Sequence, residues 1–309
     1  MNTPSIIFMG TPEFAVPALR ALHDAFGLTA IVSVPDKPAG RGRVLQSSPV
    51  SKEAIALGIP LLTPHSLKDP EFISTIAAYK PDIIIVIAFR ILPKEVYSLA
   101  KLGAFNIHGS LLPKYRGAAP VQWAIINGET TTGLTSFLLN DTVDTGKILA
   151  QSTIEIEPSM TAGDLFLALE IPSAELAVQT CRDLLSGKAK PIPQNDAHAT
   201  PAPKLFRSTC SINWNNSADH IINLIRGTNP KPGAWTTFNG KTLKILKAAI
   251  SDSSMNLESG RFVIQDSNFM VGTGSDNVFL LTIQEEGKPQ MSIVDFLRGY
   301  RGIKEGIFT

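Results

Sequence analysis

The stretch FNIHGSLLPKYRG, Phe105 to Gly117, decides how this chain is read. If its first residues form a strand, side chains alternate, so Asn106 and His108 share one face and Phe105 and Ile107 the other. Turn chemistry follows at once in Gly109-Ser110 and Leu112-Pro113. Two polar groups on one face of an otherwise apolar strand, placed just before a turn, mark a strand that ends at a site rather than in a core.

The surroundings supply the sheet that such a strand needs. Asp82–Ala88, DIIIVIA, is continuously apolar, as in a strand covered on both faces of a parallel sheet. Ser5–Met9 is a similar run, closed by Gly10-Thr11-Pro12, and an amphipathic stretch follows from Glu13 to about Ala25. Then come the β-branched run Thr29–Val34, a Pro/Gly-rich loop from Pro35 to Pro49 and a helix over Val50–Leu57. Strands alternating with helices predict a doubly wound α/β domain with a mostly parallel sheet. In such sheets ligands sit beyond the carboxyl ends of the strands, and His108 lies at one of these ends.

Further along, Thr161–Leu185 reads as a long helix interrupted at Pro172. The proline-rich KPIPQNDAHATPAPK, Lys190 to Lys204, has little to bury and reads as a linker. Beyond it, TLKILKAAI, RFVIQD, NFMVG and NVFLLTI are short, β-rich and separated by Gly, Ser and Asn, the pattern of a small barrel, with a terminal helical stretch over Met291–Gly299. The expected division is a catalytic domain at 1–189, a linker at 190–207 and a β-barrel domain at 208–309.

Composition narrows the function. The 309 residues carry a net charge of only +1, so the molecule as a whole is not built as a polyanion binder. Two cysteines without a CxxC or zinc pattern imply reduced thiols in a cytosolic protein. The start, MNTPSIIFMG, lacks the basic and long apolar regions of a signal peptide, and no apolar run is long enough to span a membrane, so a soluble cytoplasmic protein is expected. The first turn, GTPEFA, is not the GxGxxG of a dinucleotide-binding domain, and there is no Walker A sequence. A single DTG at Asp144–Gly146 does not make an aspartic protease, which needs two carboxylates sharing a proton. No metal site is visible.

Singly, His108, Asn106 and Asp144 are most simply a structural histidine, a turn cap and a turn residue. Together they suggest more. Asp144 lies in NDTVDTG, a second Gly-containing turn that could converge on the strand end. A carboxylate can orient an imidazole, hold its charge and pass a proton, while amide and imidazole N–H groups can stabilise an oxyanion. Without a Ser or Cys nucleophile beside it, the trio suits transfer of an acyl carbon to a nucleophile that the substrate supplies. The loop DKPAGRGRVLQSSP, Asp36 to Pro49, adds Lys37, Arg41 and Arg43 among glycines and prolines. It is either an ordinary solvated loop or a basic finger for phosphate.

Long ordered motifs then identify a family. FMGTPEFAVPAL (Phe8–Leu19), PDKPAGRGR (Pro35–Arg43), NIHGSLLPKYRGAAPVQWAI (Asn106–Ile125), DTVDTGKIL (Asp141–Leu149), SINW (Ser211–Trp214) and NPKPGAW (Asn229–Trp235) resemble the methionyl-tRNA formyltransferase family over nearly the whole chain. The resemblance implies a formyltransferase-type α/β domain, and a C-terminal open β-barrel of OB type that binds tRNA. It implies formyl transfer from 10-formyltetrahydrofolate to methionyl initiator tRNA, by a cytoplasmic monomer with no membrane partner and no metal. Asn106, His108 and Asp144 match the catalytic trio. Ser110, Leu111, Leu112 and Pro113 match the folate-lining segment. Arg41 matches the position that reaches the acceptor stem, with Arg43 and Lys37 assisting. In AFRILP (Ala88–Pro93), Phe89-Arg90 stands where many members carry Tyr-Gly, and looks more like the folate wall of glycinamide ribonucleotide transformylase. Another folate-dependent formyltransferase, acting on an amino sugar nucleotide or on glycinamide ribonucleotide, is the alternative.

Overall fold

A computed structural model describes residues 3–39 and 44–308. The chain forms two compact units. One comprises the residues to Pro120 together with Thr131–Glu155 and Phe166–Ala202, and the other comprises Val121–Thr130, Ile156–Leu165 and the residues from Pro203 onward.

The chain opens with β1 (Ile6–Gly10), α1 (Val16–Phe26), β2 (Ala30–Val32), the two short strands β3 (Lys37–Ala39) and β4 (Val44–Gln46), α2 (Pro49–Ala56), β5 (Leu61–Leu62) and α3 (Pro70–Ala78). It continues with β6 (Ile83–Ile87), α4 (Lys94–Tyr97), β7 (Gly103–His108), α5 (Pro120–Ile126), β8 (Thr131–Leu138), β9 (Ile148–Glu155) and α6 (Ala162–Leu185). Helix starts follow local chemistry. Ser48 and Asp69 accept the Ser51 and Glu71 amides at 3.0 and 3.1 Å, with proline at the first position of α2 and α3.

The sheet of the first unit has the order β5-β2-β1-β6-β7-β8-β9. It is mixed: β5, β2, β1, β6 and β7 pair in parallel, while β8 and β9 are added antiparallel. Every residue of β1 and β6 is buried, as their uninterrupted apolar sequences require. On one face, Ile7, Met9, Ile84, Val86 and Ala104 pack with Phe72 and Ile76 of α3 and Val96 of α4. Residues 190–202 are ordered along this unit: Ile192 and Ile148 exchange both backbone hydrogen bonds at 2.8 Å, and the Ala202 amide donates to the Arg116 carbonyl at 2.6 Å.

The expected interruption at Pro172 is not there, and α6 runs through it. Proline removes one backbone donor, but Leu165, Leu169, Leu176, Ala177 and Cys181 on this helix are all buried, which offsets one lost bond.

The second unit adds α7 (Ala218–Thr228), β10 (Ala234–Phe238), β11 (Lys241–Ile250), β12 (Arg261–Gln265), β13 (Asn268–Gly272), β14 (Asn277–Glu285), β15 (Met291–Ser292), α8 (Ile293–Gly299) and β16 (Glu305–Ile307). Its strands pair antiparallel in the order β10-β11-β14-β13-β12-β16, a sheet curled into a half-barrel, with β15 on β14. Trp214, Phe238, Phe262, Phe269 and Phe308 fill its core, with Phe262 and Phe308 at 5.1 Å and Trp214 stacked on Phe308 at 5.3 Å.

Candidate active site

In the parallel register of β6 and β7, Ile84 stands opposite Ala104 and Val86 opposite Asn106. Asn106 and His108 therefore continue the face on which Ile84, Val86 and Ala104 pack. The polar pair sits where that apolar face runs out. Asn106 is half-buried, and its side chain makes no hydrogen bond among the described residues. An amide held on a rigid strand with its donors unspent can serve a ligand.

His108 is buried. Its Nε2 lies 2.8 Å from the Tyr115 carbonyl, and a carbonyl only accepts, so Nε2 carries the proton in this bond. That leaves Nδ1 as the free position, and it faces Asp144 Oδ2 at 3.9 Å. The ring of Phe137 stands edge-on to the imidazole, 6.4 Å away, and completes its surroundings.

Asp144 arrives on the loop between β8 and β9. The loop leaves the sheet beside Ala104, whose carbonyl accepts the Leu139 amide at 2.8 Å. It returns Asp144, nearly buried and in the left-handed conformation at φ +57°, with Oδ2 accepting the Gly117 amide at 2.9 Å. Gly146 makes the return possible, because a Cβ there would lie 1.6 Å from the Leu138 carbonyl oxygen. The outer shoulder of the loop is fixed by Tyr97, which donates to Asp141 at 2.5 Å, and by Lys94 at 3.2 Å. The Tyr97 hydroxyl, with Lys94, holds the Asp141 carboxyl below the usual range, and the same bond pushes Tyr97 up to about 12.

The segment Ser110–Pro113 is shaped by its own hydrogen bonds. Thr135 Oγ1 accepts the Leu112 amide at 3.0 Å and donates to the Ser110 carbonyl at 2.7 Å. Gln151 Nε2 donates to the Leu112 carbonyl at 3.0 Å, and Ser110 Oγ donates to the Lys114 carbonyl at 2.6 Å. Leu112 is buried and both its backbone groups are engaged, whereas Leu111 and Pro113 are half-buried and offer apolar surface. Thr135 and Gln151 thus set the turn, and nothing in their local sequence signals it. Their role depends on the β7–β8 and β8–β9 registers, which bring Thr135 opposite His108 and Gln151 opposite Thr135.

The structure therefore brings Asp144 to His108 and sets Asn106 on the same strand face, with Ser110–Pro113 following directly. Lys37 is exposed on β3, while Arg41 and Arg43 lie outside the described residues. Arg90 does not stand free: it lies over the Phe89 ring at 5.1 Å and donates to the Pro64 and His65 carbonyls at 2.9 and 3.0 Å, with burial lowering its pKa. It ties the loop after β5 to the loop after β6. Among the described residues, no group of His, Cys, Asp and Glu is arranged to hold a metal ion, and no helix is long and apolar enough to cross a membrane.

The chain is similar to known proteins in sequence and in fold. The sequence model of the family described as Formyl transferase matches residues 5–180, and that described as Formyl transferase, C-terminal domain, matches residues 204–301. The chain is 44% identical over 301 residues to a methionyl-tRNA formyltransferase from Chlorobium chlorochromatii, covering 95% of this chain and 96% of that one. It is 41% identical over 313 residues to a methionyl-tRNA formyltransferase from Parabacteroides distasonis, covering 97% of each. Its fold is similar to the crystal structure of the N-formyltransferase from Helicobacter canadensis in complex with folinic acid and dTDP-3-aminofucose. The TM-score is 0.67 at 20% identity, with 91% of this chain and 99% of that one covered.

Proposed function

The chain belongs to the methionyl-tRNA formyltransferase family, and from that membership we propose how its residues carry out the reaction. The activity is transfer of the formyl group of 10-formyltetrahydrofolate to the α-amino group of methionyl-tRNA. The observation that carries the assignment of residues is the approach of Asp144 to His108 at 3.9 Å, beside the uncommitted amide of Asn106.

As the amine attacks the formyl carbon, the formyl oxygen gains negative charge in a tetrahedral intermediate. Asn106 donates its side-chain N–H to that oxygen. Because Nε2 of His108 is spent on Tyr115, the imidazole donates to the oxyanion only through a protonated Nδ1. Asp144 faces that nitrogen and offsets its charge. The proton lost by the amine passes to Asp144, directly or through one water, and is returned to the folate nitrogen as its bond to the formyl carbon breaks, so that the folate leaves as its amine. Ser110–Pro113 form the wall for the pterin, with Leu111 and Pro113 as its apolar surface.

The recognition of tRNA falls to two parts. Arg41, assisted by Arg43 and Lys37, contacts acceptor-stem phosphate. The C-terminal half-barrel, as an OB-type module, binds the tRNA body. The division into a catalytic domain at 1–189, a connection at 190–207 and a tRNA-binding domain at 208–309 goes with these roles, as do initiator selectivity, action as a monomer and cytoplasmic residence.

The test is formyl transfer to three acceptors in parallel: charged initiator tRNA, charged elongator methionyl-tRNA and glycinamide ribonucleotide. Formylation of the initiator alone is expected. Transfer to the ribonucleotide with neither tRNA touched would overturn the reading.

A further inference from the structure

The two sequence models of the family leave residues 181–203 between them, and composition marks most of that stretch as a linker. Within it, Gln194 is the best-connected side chain near the site. Its amide nitrogen donates to the carbonyls of Asp144 at 2.9 Å and Gly146 at 2.8 Å. Its amide oxygen accepts from Arg116 Nε at 3.1 Å and Nη2 at 2.7 Å. A glutamine has two donors and two acceptor positions, and all four are used. The amide can point only one way, since its partners are two carbonyls and a guanidinium.

What Gln194 joins gives these bonds meaning. Arg116 directly follows Tyr115, whose carbonyl fixes Nε2 of His108, and precedes Gly117, whose amide holds the Asp144 carboxylate. The Arg116 backbone is itself paired with the same stretch: its amide donates to the Thr200 carbonyl at 2.8 Å, and the Tyr115 amide donates to Thr200 Oγ1 at 2.8 Å. Arg116 Nη2 also reaches Asp196 at 2.6 Å. Gly117 leaves no alternative path, because a Cβ there would sit 2.5 Å from the Ala202 carbonyl oxygen at φ +127°. Gln194 thus connects the backbone that sets His108 to the backbone that sets Asp144. Asp144 itself sits in the left-handed conformation, which aspartate adopts more readily than most side chains, with its carbonyl held by Gln194.

We infer that Gln194 is a positioning residue for formyl transfer. Paired with Arg116, it holds the Asp144 loop in register with His108, so that the stretch from Gln194 to Ala202 is part of the active site's support. The inference rests on the proposed roles of Asp144 and His108, and its test keeps the two apart.

Gln194→Met removes all four bonds at nearly the same length, and Gln194→Glu keeps a partner for Arg116 while setting a carboxylate oxygen against two carbonyls. Each should lower kcat at least tenfold, leave KM for methionyl-tRNA and for 10-formyltetrahydrofolate within about threefold, and displace the pH profile of kcat. In a cycle with Asp144→Asn, the double variant should be no slower than Asp144→Asn alone, because residues acting through one another are not additive. Should Gln194→Met fail to fold, Gln194→Glu gives the same reading. Wild-type kcat in both variants, or losses that multiply with Asp144→Asn, would overturn the inference. Wild-type kcat in Asp144→Asn itself would instead overturn the proposed role of Asp144.

Discussion

The carboxylate of Asp144 is tethered to the Gly117 amide at 2.9 Å and stands clear of His108, whose Nδ1 is 3.9 Å away. That gap is too long for a hydrogen bond, so neither group is spent on the other. Asp144→Asn can keep the Gly117 contact through its amide oxygen while losing the charge and the proton acceptor. It should fold with little change in thermal midpoint and lose ~10²–10⁴-fold in kcat, the range for an acid–base group. Steady-state kinetics beside a thermal melt checks both halves.

Asn106 carries an amide donor and makes no side-chain hydrogen bond among the described residues. Asn106→Ala should raise the barrier by about 2.7–4 kcal/mol, the scale for one oxyanion donor, with folate binding retained. A loss of turnover below about tenfold, measured at saturating substrates, would remove it from the mechanism.

Gly146→Ala tests the loop rather than the chemistry. The added methyl carbon would overlap the Leu138 carbonyl, so the loop must move or the fold must strain. A destabilisation of about 3 kcal/mol or more is expected, with kcat falling as Asp144 is displaced. Urea unfolding and kinetics on the same preparation would show whether both occur.

Stability should respond to acid at the amino end of β6, the opposite end of the parallel strands from His108. Asp82 accepts the Ser5 amide at 2.8 Å and Lys101 at 3.1 Å, and these bonds, the Ser5 one foremost, lower its pKa. A carboxylate with a depressed folded-state pKa contributes fully above its unfolded pKa and loses that contribution as pH falls through the folded one. Asp82→Asn should therefore be less stable than the parent by about 1 kcal/mol at neutral pH, a figure kept small by solvent screening. The two should converge in strong acid, and urea unfolding across pH measures the difference.

Arg41→Ala addresses the nucleic acid. It should raise KM for methionyl-tRNA and flatten its dependence on salt, because a phosphate contact releases counterions, while KM for the folate donor stays put. Kinetics at several salt concentrations would decide it, and an unchanged salt slope would return the loop to ordinary solvated chain.

Much of the fold could be read in advance where one pattern dominated. The continuous apolar run at Ile83–Ile87 and the Asn106/His108 alternation each depend on a few adjacent residues, and both lie on strands as expected. The antiparallel addition of β8 and β9 was not readable, because Gly133–Phe137 is buried throughout and shows no alternation. The Nε2–Tyr115 bond, the Thr135–Gln151 support and the Gln194 bridge were equally hidden. Each joins residues that no local spacing relates. At Pro172 the reason is different: proline's local penalty is fixed, but the burial that outweighs it is set by the whole helix.

The pairing of Thr200 and Ala202 with the Tyr115–Ala119 backbone also bears on where the protein can be cut. A shortened chain ending at residue 189 would keep Asn106, His108 and Asp144 yet discard the stretch that hydrogen-bonds to the Tyr115–Ala119 backbone and, through Gln194, to the Asp144 carbonyl. One ending just past Ala202 would keep that support. A shortened chain that is to keep these backbone pairings must therefore extend past Ala202 rather than end at 189.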